Sequence, residues 1–372
     1  MKISCPNVLF YIGTEAELIK LFPVIQNCLN DKLKINLIFS GQNDLRNTIF
    51  ITNEMQAYSI FILKNKIWFP FKNFSLRTIW FVLWAIFAFY KTLIILFKYK
   101  FSLNCNPIFI VHGDTISTVI GALVAKFFGL QVLHVESGLS SGNAFNPFPE
   151  EINRRIVMRL SDVLFCPTIP SLENAQRLKH KECIYTHGNT MWDMLMYGLK
   201  KQKEEIRPPY LLLIIHRQET LANPDLFFKI INLVKINRPN NLECLFILHH
   251  TTRGFLMSHN KLDEIAALKG WHLFDRLPFY EFINLLKNAN FVLTDGGTNQ
   301  EECYYLGTPC YLLRKCTERN EGIGENVVFR DDFLKGLPNF MENYGMFKKI
   351  PITFNQSPSV IVSKKIENYA SN

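Results

Sequence analysis

Three carboxylates, Asp114, Glu136 and Glu150, fall within the stretch Ile110 to Arg155, each just past an apolar run or a proline turn. Phe109-Ile110-Val111 and Val132-Leu133-His134-Val135 read as short buried strands of a parallel sheet. Asp114 and Glu136 then stand at the carboxyl ends of those strands, where open α/β sheets bind ligands. Pro147-Phe148-Pro149 stiffens the approach to Glu150, which falls in the first turn of a helix, where the dipole favours a carboxylate. Alone, each acid reads first as an N-cap or surface acid. Three aimed at one crevice fit proton transfer to and from a polar substrate.

A second group lies in the other half of the chain. Phe291-Val292-Leu293-Thr294 runs into Asp295-Gly296-Gly297-Thr298-Asn299-Gln300-Glu301-Glu302. A strand, a Gly-Gly turn and a helix start present backbone N–H groups and a positive helix end to an anion. Glu301 or Glu302, one turn in, is placed to reach sugar hydroxyls. Arg314 and Thr317-Glu318-Arg319 follow the next strand, Cys310–Leu313, and offer guanidinium groups to a diphosphate. His216 closes the strand Leu211–Ile215 and so stands at a carboxyl end, outside the apolar run. Gly13-Thr14 is a further phosphate candidate at a strand-to-helix turn. No GxGxxG stands there, so the usual nicotinamide fingerprint is missing.

Positioning these groups takes an α/β frame. Val8–Ile12, Ile35–Phe39 and Ile60–Leu63 read as strands separated by helices, one of them from about Gln42, in the rhythm of a doubly wound sheet. At 372 residues the chain exceeds one ordinary core, and two domains are expected. The charged, proline-ended Lys200–Pro209 is the linker candidate, giving domains 1–203 and 204–372. The expected architecture is two Rossmann-like domains facing a central cleft, with the C-terminal segment packing back on the first.

The formal charge of +9 fits an anionic partner, either a phosphorylated small molecule or an acidic membrane surface. Basic residues are scattered and no binding module is present, so nucleic acid is not expected. The nine cysteines show no CxxC pair and no ligand spacing with histidine, so no metal site is expected. Several sit in apolar runs as small buried hydrophobes, which with the missing signal peptide points to a reducing, cytoplasmic setting. Ile79–Phe97, IWFVLWAIFAFYKTLIILF, approaches the length of a membrane span. Lys91 inside it, and the strand that follows at once, favour a crossover helix or one with part of its surface in a bilayer interface.

Taken together, GTEAELIK (13–20), HGDT with ST (112–118), HVESGL (134–139), PFPEEINR (147–154), GNTMWD (188–193), HRQE (216–219), TDGGTNQEE (294–302) and TER (317–319) resemble the non-hydrolysing UDP-N-acetylglucosamine 2-epimerases in order and spacing. The resemblance covers residues 8 to 330. It implies the GT-B architecture, a homodimer, and interconversion of UDP-GlcNAc and UDP-ManNAc without a redox cofactor. By resemblance, Asp114, Glu136 and Glu150 are the acid/base carboxylates, with His216 beside the departing diphosphate. Gly296 and Gly297 hold its phosphates and Glu302 the ribose hydroxyls. Gly13, Lys20, Arg154, Arg217 and Arg319 fall on motif positions expected to bind substrate.

The departures are equally specific. Glu15 stands where the family usually carries an arginine, and Ser140 replaces another. The usual QH pair, in a region that helps form the bacterial enzymes' regulatory second UDP-GlcNAc site, is Gln42-Asn43. Gly296-Gly297-Thr298 and His216-Arg217-Gln218-Glu219-Thr220 replace the usual SGG and HRREN. Carboxylates kept and substrate-facing cations lost predict an altered sugar or nucleotide, lost allosteric control, or another reaction on the same scaffold. A membrane-associated GT-B glycosyltransferase is the alternative reading.

Overall fold

The computed structural model describes residues 5–43, 45, 58–61, 74–144, 148–179, 181–201, 208–317 and 319–371. The chain divides into two compact units, residues 1–194 with 354–372, and residues 195–353. That division falls inside the helix Met191–Lys201, ahead of the expected boundary at 203/204. Residues 202–207 of the expected linker lie outside the described residues.

The first unit is built on a parallel sheet of seven strands: β1 (Val8–Ile12), β2 (Ile35–Phe39), β3 (Tyr58–Phe61), β4 (Ile108–His112), β5 (Val132–Val135), β6 (Val163–Cys166) and β7 (Glu182–Tyr185). Their order is β3-β2-β1-β4-β5-β6-β7, so the winding reverses between β1 and β4. Such a reversal opens a crevice at the carboxyl ends of the two strands. The central strands are buried along their whole length, which is why they read as unbroken apolar runs and not as alternating ones. β3 starts two residues earlier than expected, and the helix expected from about Gln42 falls mostly outside the described residues.

Helix Glu15–Asn30 begins with a capping box in which Thr14 accepts from the Glu17 amide and Glu17 accepts from the Gly13 and Thr14 amides. The C-terminal helix Pro358–Ser371 packs on it, as expected for the returning segment. Asp193 Oδ2 accepts from the Ser359 amide at 2.8 Å, and Asn27 donates to Ser359 Oγ at 3.2 Å. Trp192 stacks edgewise on Phe354.

Cys5 and Cys105 form a disulfide, which corrects the expectation that the cysteines are simply buried hydrophobes. Register explains the pairing: Val8 lies beside Ile108, an offset that also sets residue 5 beside residue 105. Nothing short of the β1–β4 pairing reveals it. Of the seven others, Cys28, Cys166, Cys244, Cys303 and Cys310 are buried.

The second unit carries a six-stranded parallel sheet: β8 (Tyr210–Ile214), β9 (Glu243–Leu248), β10 (Trp271–Asp275), β11 (Phe291–Thr294), β12 (Cys310–Leu312) and β13 (Val327–Val328). Its order, β10-β9-β8-β11-β12-β13, reverses between β8 and β11. One core runs under it, with Leu213, Phe246, Phe291, Tyr311 and Phe340 among its fully buried side chains.

Candidate active site

In the first unit the polar groups gather where β4 and β5 end. His112 of β4 lies beside Val135 of β5, so the next residue along β5, Glu136, is carried past the strand end next to His112. The Glu136 backbone is left-handed, with φ 60°. For a residue with a β-carbon this conformation costs about 1–3 kcal/mol and persists only where the surroundings enforce it. Those surroundings are visible. Glu136 Oε2 forms an ion pair with Lys20, accepts from Asn189 Nδ2 at 2.5 Å, and lies 3.5 Å from His112 Nε2. Lys20 and His112 are themselves buried. The carboxylate is therefore held in one place before any ligand arrives.

Asp114 follows Gly113 past the end of β4. Its Oδ2 is 2.6 Å from Arg154 Nη2, and its carbonyl accepts from Asn153 Nδ2 at 2.8 Å. Both partners lie on helix Glu150–Leu160, so the start of that helix is pinned over Asp114. Glu150 is its first residue, with Oε2 buried and given no hydrogen bond by the described residues. Thus the structure pairs Asp114 with Arg154, sets Glu150 one turn earlier on the same helix, and joins Glu136 at the end of β5 to Lys20 of helix Glu15–Asn30. Pro147 lies outside the described residues.

Two supports of this corner were not legible as site residues. His134 Nε2 lies 2.7 Å from the Gly113 carbonyl, and burial pushes its pKa down to about 4, so it stays neutral and donates. Glu151 is buried and accepts from Ser140 Oγ at 2.6 Å and from Arg155, which ties the loop carrying Ser140 to the helix. Gly138 has φ +83°, and a β-carbon there would lie 2.0 Å from the Ser171 carbonyl oxygen. Gly138→Ala is expected to lower stability by at least about 1–2 kcal/mol, from the left-handed backbone alone. Thermal melting checks it, and an unchanged melting temperature would remove the steric reading.

Gly13, a phosphate candidate by sequence, closes the turn between β1 and helix Glu15–Asn30. Its amide donates to Glu17 Oε2 at 2.6 Å, so that N–H is taken up within the turn. Burial raises the Glu17 pKa to about 7, against the lowering effect of the bonds from Gly13, Thr115 and Thr14. A side chain at Gly13 would strike Ser117, which explains the glycine by packing.

In the second unit, register again does the positioning. Ile214 of β8 pairs with Thr294 of β11, so His216 and Gly296, each two residues further on, meet past the strand ends. A β-carbon on Gly296 would lie 2.8 Å from His216 Cε1, so the glycine is what lets the imidazole close on this turn. Asp295 is fully buried and accepts from the His216 and Arg217 amides and from Thr220 Oγ1, each at 3.0 Å. His216 Nδ1 stands 3.4 Å from Asp295 Oδ1, and its ring stacks on His249 at 4.7 Å. Burial lowers the His216 pKa; Asp295 opposes this, while Arg217, Arg276 and Arg314 add to it. His249 is pushed down to about 4 chiefly by burial. The pair is accordingly neutral near pH 7, and His216 is a hydrogen-bonding group more than a charge.

Helix Gly297–Leu306 starts at Gly296 with no side chain capping it. Its first-turn amides remain available to an anion. Glu302 is buried and accepts from Asn299 Nδ2 at 2.9 Å. Arg319 and Arg314 are buried as well. Arg319 Nη1 lies 3.0 Å from the fully buried Glu301, and Arg314 donates to Gln300 Oε1 at 2.9 Å. Both guanidinium groups therefore hold the fold around this turn. Glu318 lies outside the described residues. Asp295, Asn189 and His112 are the partners that sequence reasoning missed. Asp295 had a signal, standing first after an apolar strand, whereas Asn189 and His112 acquire meaning only through what they touch.

Two doubly wound parallel sheets, each with its polar groups at the carboxyl ends beside its point of reversal, define a two-unit Rossmann-like α/β protein of the GT-B type. A sequence profile of the UDP-N-acetylglucosamine 2-epimerases matches residues 91–330, well over half the chain, and the chain belongs to that family. It is 29% identical to the UDP-N-acetylglucosamine 2-epimerase of Campylobacter jejuni, across 87% of this chain and 85% of that one. It is 32% identical to a Pseudomonas aeruginosa UDP-2,3-diacetamido-2,3-dideoxy-D-glucuronate 2-epimerase, over 59% of this chain and 62% of the relative. Among solved structures it resembles the Methanocaldococcus jannaschii UDP-GlcNAc 2-epimerase in complex with UDP-GlcNAc and UDP. That likeness has a TM-score of 0.75 at 27% identity, covering 97% of this chain and 99% of the other.

Proposed function

We propose that this chain interconverts UDP-GlcNAc and UDP-ManNAc, or the matching pair of a related UDP-sugar, by eliminating and re-adding UDP, for cell-envelope polysaccharide synthesis. The observation that carries the reading is the placement of Asp114, Glu136 and the first turn of Glu150–Leu160 at neighbouring strand ends of a chain in this family. The sugar C2 proton is not acidic enough for direct inversion. A carboxylate removes it as the C1–O bond to UDP breaks, leaving a glycal. A proton returned to the opposite face of C2, with UDP oxygen re-adding at C1, completes the inversion. Every electron pair is restored, so the reaction is redox-neutral and requires no cofactor.

Each unit carries groups suited to part of this chemistry. Glu136, Asp114 and Glu150 supply proton transfer, each step worth about 10²–10⁴-fold. His216 and the uncapped start of Gly297–Leu306 suit a diphosphate whose charge grows as it departs. Glu15 and Ser140, standing where the family usually has arginines, are the reason a related UDP-sugar is included in the proposal. The Pseudomonas relative, named for a different UDP-sugar, supports such variation within the family. Family membership favours this reading over a glycosyltransferase. The same proposal places the protein in the cytoplasm, as a homodimer, at the inner face of the membrane.

Purified protein incubated with a panel of UDP-sugars in D₂O tests it. Deuterium at C2 together with the 2-epimer is the expected result. No exchange on any UDP-sugar would sink the reading.

A further inference from the structure

Glu136 is faced by Lys20 of helix Glu15–Asn30, by His112 of β4, by His134 of its own strand, and by the side-chain amide of Asn189. That amide has one orientation open to it. Asn189 Oδ1 accepts from the Met191 N–H at 3.1 Å, at the start of helix Met191–Lys201, which turns Nδ2 onto Glu136 Oε2 at 2.5 Å. Reversing it would set oxygen against the carboxylate and nitrogen against the helix N–H. Asn189 is buried, so solvent does not compete for either bond.

Asn189 is held in turn by the segment through which the chain returns to the first unit. A β-carbon on Gly188 would lie 2.6 Å from Phe354 Cζ, so the tip of that ring is pressed against the backbone just before Asn189. The same ring stands edge-on to Trp192 at 5.1 Å. Phe354 therefore meets the chain on both sides of Asn189, at residues 188 and 192. Next to Trp192, Asp193 Oδ2 accepts from the Ser359 amide at 2.8 Å, which pins the same helix start. From the sheet side, Thr186 Oγ1 lies 2.7 Å from the Gly188 carbonyl oxygen and 3.1 Å from that of Cys166, at the end of β6. The loop 186–190 is thus clamped between β6 and residues 354–359.

Loops ordinarily move more than the elements they join. This one carries a bond to a carboxylate whose own backbone sits in the left-handed region, so slack in the loop would loosen a position already held against strain. We propose that Phe354 is a positioning residue for Glu136, its ring wedged between Gly188 and Trp192 so that the Asn189 amide stays on the carboxylate. This rests on the assignment of proton transfer to Glu136, and adds that the C-terminal segment sets the geometry of that group.

Two measurements on the full chain test it, and the first needs no turnover. Infrared titration of the carboxylates, native protein minus Glu136→Gln, isolates the Glu136 band. Losing a donor to the ionised form raises a carboxyl pKa, so Asn189→Ala is expected to move the Glu136 midpoint upward, and Phe354→Ala to move it the same way. The second is turnover. A misplacement of about 1 Å costs about 10²-fold, so Phe354→Ala is expected to lower kcat by up to about that factor with KM nearly unchanged. In the Asn189→Ala background it is expected to add little, because residues that act through one contact are not additive. Gly188→Ala, whose β-carbon strikes the ring, is expected to reproduce the effect, and adding Phe354→Leu to restore part of it by making room. That pair decides the matter should Phe354→Ala not fold. A Phe354→Ala protein that melts lower yet keeps the native Glu136 midpoint and kcat would overturn the proposal. So would a loss of kcat that is undiminished in the Asn189→Ala background. If no UDP-sugar exchanges deuterium, the proposed reaction fails, while the titration still decides whether Phe354 acts on Glu136.

Discussion

Glu136→Gln is expected to lower turnover by about 10²–10⁴-fold, the range for losing one positioned proton-transfer group. Glutamine keeps the shape, can still meet Asn189, and leaves the backbone turn as it is. It removes the negative charge and the proton affinity. The left-handed backbone and the convergence of Lys20, Asn189 and His112 on one carboxylate oxygen show a group whose position is enforced at some cost in stability. A purely structural acid at this strand end would not need that arrangement. UDP binding, which the reading assigns to His216 and the start of Gly297–Leu306, is expected to stay nearly unaltered. Rate assays and calorimetry with UDP check the two halves separately. Because the substitution leaves buried Lys20 facing a neutral amide, melting curves must show that the variant is folded. Turnover near that of the native protein would remove Glu136 from the chemistry.

Arg319→Ala is expected to act first on stability, by about 3–5 kcal/mol, because it strands Glu301 as a fully buried carboxylate without its cation. For a unit of this size the melting temperature should fall by on the order of 10 °C. Replacing both partners together by methionine should restore most of the loss, since a well-packed apolar pair is often no worse than a buried ion pair. If Arg319 instead serves mainly to bind diphosphate, the single variant would melt normally and show only weakened UDP binding. The double replacement would then rescue nothing. The structure favours the first outcome, because Gln300 accepts from Arg314 and donates to the Arg319 and Glu321 carbonyls, making this loop one buried network.

The α/β frame was legible because parallel strands buried on both faces leave unbroken apolar runs, and nearly all of them fall where expected. The positions of Asp114, Glu136, Glu150 and His216 past strand ends or at a helix start were legible because polar residues that end apolar runs mark where those elements stop. Arg319 and Gly13 show the limit of that reasoning. Motif position does not tell that Arg319 is paired with Glu301, or that the Gly13 amide donates to Glu17. Whether a polar group is offered outward or satisfied internally depends on which neighbour the fold supplies, and no spacing along the chain contains that.

The sequence by itself determined which residues end the strands, that the strands form parallel sheets, and that Asp114, Glu136 and the glycine turn stand at their carboxyl ends. Tertiary structure alone decided the rest. The β4–β5 register sets His112 beside Glu136, the β8–β11 register sets His216 against Gly296, and the β1–β4 register brings Cys5 to Cys105. It also decided that Trp84, Ala88, Thr92 and Leu96 of the apolar helix are buried while Leu83, Ile86, Tyr90 and Ile94 are exposed. The physical reason is common to all four. Pairing register and burial are properties of which elements meet, and their energies arise from contacts between residues far apart in the chain.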